Sequence, residues 1–177
     1  MVSFDRTKSR LFNVIKLEGF NDVILCGHSY AGMIISGVAD QLHERISTLV
    51  YLDAWVPEDG DSIAALSPEA AQLSIVKGVA RYERYGVPPV PAVVLQVKEQ
   101  ERAWVDRMCT SQPLAIVTEG IRLHGNHLKV KQRVFVLASA WAPTPFRQFY
   151  DELQEIRTGH SAPLNLDMMP CLTSLVE

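Results

Sequence analysis

The chain has 177 residues, 47% of them hydrophobic and 21% charged, with a formal net charge of −3. That length holds one domain with a real core, and that balance excludes a disordered chain. No acidic or basic block points to nucleic acid or an anionic membrane, no apolar run approaches the ~20 residues of a membrane span, and Met1-Val2-Ser3-Phe4-Asp5-Arg6 lacks the apolar core of a signal peptide, so a cytoplasmic protein is expected.

Asp5 to Leu17 carries Leu11, Val14 and Ile15 on one face and charge on the other, then breaks at Gly19, which reads as an amphipathic helix. Val23 to Cys26 is a short apolar run rich in β-branched residues, the signature of a strand buried on both faces, with Cys26 as plain core. Gly27 stops the run, Ser29 follows, and Met33, Ile34, Gly37 and Val38 recur at helical spacing. Ser29 therefore sits where a strand ends and a helix begins. A serine hydroxyl is a weak nucleophile, useful only when exposed to a base and beside preorganised N–H donors. A tight turn supplies the exposure, and the Tyr30 N–H at the helix start can point at a developing oxyanion. The plainer reading is a serine in an ordinary βα turn.

Ile46 to Asp53 is a second buried-strand pattern, completing a βαβ unit that ends on a carboxylate. Ligands of parallel α/β sheets gather at the carboxyl ends of the strands. From about 57 to 131 the chain leaves this rhythm. Ser67-Pro68-Glu69 reads as a helix start with a serine N-cap, opening a segment to about Tyr85. Gly86-Val87-Pro88-Pro89-Val90-Pro91 is a stiff link, and Lys98 to Met108 a further helix. Trp104, Leu114 and Ile116 suit either a lid over an apolar pocket or simple burial of the insert against the sheet. His124-Gly125-Asn126-His127 offers two histidines but no third ligand, so a loop is expected and no metal site. Lys129, Lys131 and Arg133 read as a solvated face at a strand entry. Val134 to Ala138 resumes the strand pattern, and a helix from Thr144-Pro145-Phe146 runs through Phe149, Tyr150 and Leu153. A short strand at Glu155-Ile156-Arg157, a loop at Thr158-Gly159-His160-Ser161-Ala162 and a closing helix with Leu172, Leu175 and Val176 follow. Cys26, Cys109 and Cys171 are odd in number and lack motif spacing, which fits reduced thiols.

Gly27-His28-Ser29-Tyr30-Ala31-Gly32 resembles the nucleophile elbow of the α/β-hydrolase superfamily, with Ala31 in place of the usual second glycine. With Leu49 to Gly60, Arg102-Ala103-Trp104-Val105-Asp106 and Gly159-His160, the chain is similar to the bacterial esterase-like branch, whose fold is shared by plant esterases and hydroxynitrile lyases. The resemblance covers essentially the whole chain. It implies a single α/β domain over 1–177: a partial α/β-hydrolase fold, a mostly parallel sheet of about four strands, flanking helices and a helical cap at about 57–131. It implies Ser29 as nucleophile, the Tyr30 N–H as oxyanion donor, and His160, on a loop after the last strand, as base. The loop after Val134 to Leu137, where relatives most often carry the acid, reads Ser139-Ala140-Trp141-Ala142-Pro143 and holds no carboxylate. Some members carry the acid one strand earlier, where Asp53 stands; the other reading of Asp53 is a brace at a strand end. His28 packs or lines the substrate pocket. No cofactor is implied.

Two departures shape the expected activity. The superfamily has several strands and a His-Gly oxyanion loop before the elbow, whereas here only one helix precedes Ser29; the segment before His160 is also shorter. The resemblance is therefore to the C-terminal two thirds or so of a family member. The expected function is hydrolysis of a small apolar carboxylic ester through an acyl-enzyme. The alternative is a non-catalytic or truncated remnant that acts by binding. Hydroxynitrile lyase activity ranks lower, because Ser161 stands where those relatives follow the histidine with lysine. Val23 to Cys26 is expected to become an apolar, uncharged sheet edge and a route to self-association.

Overall fold

The computed structural model describes residues 4–69, 72, 86–139, 144–155 and 159–164, with side chains described as far as Leu153. Helix α1 (Phe4–Leu17) ends where expected, with Gly19 in the left-handed region at φ 68°. There the Phe20 N–H bonds the Ile15 carbonyl at 3.1 Å. Strand β1 (Val23–Ser29), helix α2 (Ala31–Leu42), a 3₁₀ turn and strand β2 (Ile46–Ala54) form the predicted βαβ unit. The strand runs past its apolar residues, through Gly27 and His28, to Ser29 itself.

Beyond β2 the described elements are α3 (Ile63–Leu66), β3 (Gly86–Val87), α4 (Glu99–Met108), β4 (Gln112–Pro113), α5 (Leu114–Thr118), β5 (Gln132–Ala138), α6 (Arg147–Glu155) and β6 (Gly159–Leu164). The main sheet has the order β1-β2-β5-β6, and every pairing in it is parallel. Four parallel strands with flanking helices match the expected fold class, and β1 stands at the sheet edge. Strands β3 and β4 form a separate antiparallel pair.

Helices α2 and α6 pack on one face of this sheet. Tyr51 of β2 meets Ser36 of α2 there, and Phe135 of β5 stacks beside Tyr51 and meets the Tyr150 ring of α6 edge-on. Leu49, Tyr51, Phe135 and Leu137 are fully buried on that side, with Met33, Ile35 and Val38 above them. The opposite face is less covered. Ile24 is 66% exposed, Cys26 is exposed, and Val50, Leu52, Val134 and Val136 are half-buried. Burial on both faces, and a core role for Cys26, were the expectation; instead β1 alternates, with Leu25 buried on the side where α2 packs and Ile24 and Cys26 exposed on the other.

Several local expectations are corrected. Among the described residues the Ser67 hydroxyl donates to the Ile63 carbonyl at 2.6 Å and closes α3, whose own N-cap is Ser62; whatever Ser67 receives from residue 70 lies outside the described residues. A new turn starts at Pro68, whose carbonyl accepts from the Gln72 N–H at 3.1 Å; its run to Tyr85 lies outside the described residues. Arg133 is not on a solvated face, since strand alternation turns it inward beside Phe135. Instead of a strand at Glu155, the helical spacing of Phe149, Tyr150 and Leu153 carries α6 through that residue, and the last strand forms later, at 159–164. Ala140 to Pro143, Thr158, Cys171 and the closing helix around Leu172, Leu175 and Val176 lie outside the described residues. Among the described residues no helix is long and apolar enough to cross a membrane.

The stems of the segment at 57–131 are pinned together. Gly60 N–H bonds the Ile121 carbonyl and Ile121 N–H the Asp61 carbonyl, both at 2.8 Å, while the Asp59 carboxylate accepts from the Leu123 N–H at 2.8 Å. Within that segment, Ala92, Val97 and Val105 form a small core of their own, and Ile116 is buried. Trp104 is 46% exposed, so burial of the insert does not account for it.

Candidate active site

The turn after β1 is a strained one. Ser29 has φ 52°, a left-handed conformation that non-glycine residues rarely adopt, and Tyr30 follows in helical conformation as the first residue of the α2 cap. Such a bend requires the backbone to approach itself closely. A Cβ on Gly27 would lie 2.6 Å from the Ala31 carbonyl oxygen, and one on Gly32 would collide with the Trp55 carbonyl and approach Ala54 Cβ at 3.0 Å. Only a hydrogen fits at either position. The glycine this elbow needs after its serine is thus Gly32, pressed against the end of β2, which accounts for alanine at 31.

Ser29 is half-buried, and its carbonyl accepts from the Trp55 N–H at 3.2 Å, tying the elbow to the neighbouring strand end. The N–H groups that open α2 precede its i to i−4 hydrogen-bond ladder, and the helix dipole adds to their positive character. The Tyr30 N–H is the first of them. Burial pushes the Tyr30 phenol up to about 12, with a hydrogen bond from the Thr7 side chain opposing and the Glu119 charge adding, so the ring is neutral.

Asp53 lies one strand over, also with positive φ, at 42°. It falls at an irregularity in the β1–β2 register, where His28 pairs with Leu52 and Ser29 with Ala54. The residue is 1% exposed, and its Oδ1 accepts from the Ala138 N–H at the end of β5, at 3.0 Å. Its Oδ2 is buried with no hydrogen-bond partner among the described residues. Burial pushes this carboxyl up to about 6 against the lowering effect of the Ala138 bond. Asp53 therefore braces β2 against β5 with one oxygen and holds the other free to accept.

His160 is not on a loop. Its backbone lies in β6, opposite Val134, in the row that runs through Val50 to Cys26. Ser29 is three residues further along and three strands across, roughly 17 Å away on a flat sheet with a 3.3 Å rise and 4.8 Å strand spacing. Leu164, four residues later, is the β6 position opposite the edge residue Ala138. The structure thus brings Ser29, Tyr30 and Asp53 to one edge and leaves the His160 backbone below it. His28 is half-buried, burial lowers its pKa so that the ring is neutral, and its Nε2 has no partner among the described residues.

A buried carboxylate the sequence reading passed over anchors the far end of α2. Asp40 accepts from the backbone N–H groups of His124 (2.8 Å), Asn126 (2.7 Å) and His127 (3.3 Å), and from the His124 Nδ1 (2.9 Å). Gly125, at φ 83°, lets the loop curl around it. Burial acts to raise the Asp40 carboxyl, but this set of donors outweighs it and holds the group well below the usual carboxylate range. The two histidines are therefore a structural loop, and no cluster of metal-ligating side chains occurs among the described residues. The available signal was a carboxylate two residues beyond the apolar run Met33 to Val38, in the same helix.

No protein-family model matches the chain. Over 143 residues it is 44% identical to a carbendazim-hydrolyzing esterase of Nocardioides sp. (strain SG-4G), covering 76% of this chain and 59% of that protein; the chain thus spans about three fifths of the length of this curated relative. Among solved structures it superposes on an extracellular α/β-hydrolase from a Paenibacillus species, described as a structural and functional homologue of tobacco salicylic acid binding protein 2. That match has a TM-score of 0.77 at 17% identity, over 98% of this chain and 75% of the other. A methylesterase from Arabidopsis matches with a TM-score of 0.67 at 16% identity, over 96% and 74% of the two chains.

Proposed function

For this chain, whose fold is that of the α/β-hydrolases, we propose carboxylic-ester hydrolysis through an acyl-enzyme on Ser29. The observation that carries the proposal is the Ser29 turn: a left-handed serine between two sterically obligatory glycines, at a strand's carboxyl end and the start of a helix. A turn of this kind costs of order 1–3 kcal/mol and is kept where the serine must stand clear of the sheet. In the proposed mechanism the Ser29 oxygen attacks the ester carbonyl, the Tyr30 N–H stabilises the oxyanion, and collapse expels the alcohol. A histidine takes the serine proton and returns it to the leaving alcohol, and water then repeats the sequence on the acyl-enzyme. His160 is proposed for this part by chain order, with the free Asp53 Oδ2 accepting its second ring N–H. That geometry needs β6 to sit about four residues nearer the carboxyl edge than its observed pairing with β5. Relatives named as esterases, among them one that hydrolyses carbendazim, support an ester substrate, and half-buried His28 suits a place in its binding pocket.

One observation favours a second reading. With the His160 backbone opposite Val134, three strands across from Ser29, the described residues do not bring this histidine to the elbow, as fits a binding protein. Labelling with a fluorophosphonate separates the two. Modification of Ser29 that disappears in Ser29→Ala and is strongly slowed in His160→Ala supports the hydrolase; an unreactive Ser29 supports the binding protein.

A further inference from the structure

Beneath the elbow, two hydroxyl groups sit where an apolar core would accept phenylalanine and alanine. Ser36 and Tyr51 are both 0% exposed, their oxygens are 2.8 Å apart, and the Ser36 Oγ is 2.8 Å from the Gly32 carbonyl. A carbonyl only accepts, so the single Ser36 proton goes to Gly32, and the proton in the other bond must come from Tyr51. The chain of donation therefore runs from β2 into α2: Tyr51 O–H to Ser36 Oγ, then Ser36 O–H to the Gly32 carbonyl. Burying hydroxyl groups costs free energy that their mutual hydrogen bonds only offset, so stability alone gives no reason to prefer them to apolar side chains of like shape.

Their position supplies a reason. Gly32 belongs to the first turn of α2, the turn in which the Tyr30 carbonyl accepts from the Met33 N–H at 3.0 Å. That turn is pressed against the Trp55 carbonyl and held by the Ser36 bond to the Gly32 carbonyl. A serine that bonds back to the carbonyl four residues earlier tilts that carbonyl and bends the helix locally. Taking the serine-hydrolase reading of Ser29 as its premise, we propose that Tyr51 is a positioning residue: acting through Ser36 and Gly32, it fixes the first turn of α2 so that the Tyr30 N–H is aimed at the oxyanion formed on Ser29. Tyr51 touches no substrate. Its ring is held independently, stacked beside Phe135 at 6.5 Å, so its hydroxyl can be removed without emptying the core.

The test is Tyr51→Phe in the full chain, read by ester turnover and by the second-order rate of fluorophosphonate labelling at Ser29. An oxyanion donor left in place but less well aimed should lower kcat and the labelling rate about tenfold, short of the 10²–10³ that follows loss of a donor, with KM unchanged within about twofold. Ser36→Ala should do the same, and the double variant should be no worse in kcat than Ser36→Ala alone, because both residues act through one chain. A purely structural role would lower the melting temperature while leaving kcat and the labelling rate as in the parent. That result, or additive losses in the double variant, overturns the proposal while the Ser29 reading stands. A parent chain whose Ser29 takes no label overturns both.

Discussion

Ser29 and Asp53 end adjacent parallel strands in the same left-handed backbone conformation, φ 52° and φ 42°, on either side of a break in the strand register. Each is locked by a backbone N–H from the next segment: Trp55 to the Ser29 carbonyl, Ala138 to the Asp53 carboxylate. Both strained positions thus lie at the carboxyl ends of adjacent strands, each tied to a neighbouring segment and not to the other.

Ser29→Ala should abolish hydrolysis of p-nitrophenyl acetate and all fluorophosphonate labelling while leaving the circular dichroism spectrum unchanged. His160→Ala should be comparably severe, since nucleophile and base act as a unit. Undiminished turnover in His160→Ala would remove this residue from the proposed mechanism and leave its observed place in β6 as its whole role.

The raised carboxyl of Asp53 makes a signed prediction. At about 6 in the folded chain against an ordinary 3.8, it binds its proton more tightly folded than unfolded. Its effect on stability is therefore most favourable below pH 4, declines as pH rises from about 4 to about 6, and is level above. Asp53→Asn stays neutral throughout, so at pH 7 it should be more stable than the parent by roughly 2–3 kcal/mol at 1.4 kcal/mol per pH unit, and the decline should vanish. If Asp53 orients the base, the same variant should lose ester turnover by on the order of 10⁴-fold. Denaturant titrations at pH 4 and 7, with esterase assays, check both signs.

Gly32 and Ala31 should respond in opposite ways. Gly32→Ala forces a methyl into the Trp55 carbonyl and should destabilise by about 3 kcal/mol or more, with activity lost alongside. Ala31→Gly, which restores the commoner elbow sequence, should cost no more than about 1 kcal/mol of helix propensity and leave turnover unchanged. Thermal melts and kinetics on the two variants test this contrast.

Among the described residues β1 pairs on one side, with β2, and its other edge is predicted to pair with other chains. It carries no charge or proline, and Ile24, Phe20 and Leu17 are exposed near it. Light scattering behind size-exclusion chromatography should show self-association that grows with concentration, and Ile24→Lys should shift the distribution towards monomer. A parent chain that remains monomeric at high concentration would show the edge to be protected.

How much of this was legible depended on the range of the interactions involved. Val23 to Cys26, Ile46 to Asp53 and Val134 to Ala138 were found because a strand in a parallel sheet announces itself as a local apolar run. The elbow was legible for the same reason, since strand, turn and helix are contiguous. Strand β6 was missed because Gly159-His160-Ser161-Ala162-Pro163-Leu164 has neither alternation nor β-branched residues; its place is set by pairing with β5. The latch at Asp40 was missed because its partners lie 84 to 87 residues away. That the described helices leave Ile24 and Cys26 exposed was likewise hidden, because a sequence pattern records apolar positions and not which helices arrive to cover them.

The spacing of the strand partners along the chain also orders their assembly. Val23 meets Ile46 within one short βαβ unit, whereas Thr48 meets Gln132 across 84 residues. Closing the longer loop costs about 1 kcal/mol more in chain entropy, so β1, α2 and β2 are the pieces expected to come together first. The Ser29 bend is then built into the nucleus, before β5 can brace Asp53. Ile35→Val and Leu49→Ala should chiefly slow refolding, and Val136→Ala should chiefly hasten unfolding. The strained turn at Ser29 would thus be formed earliest and released last.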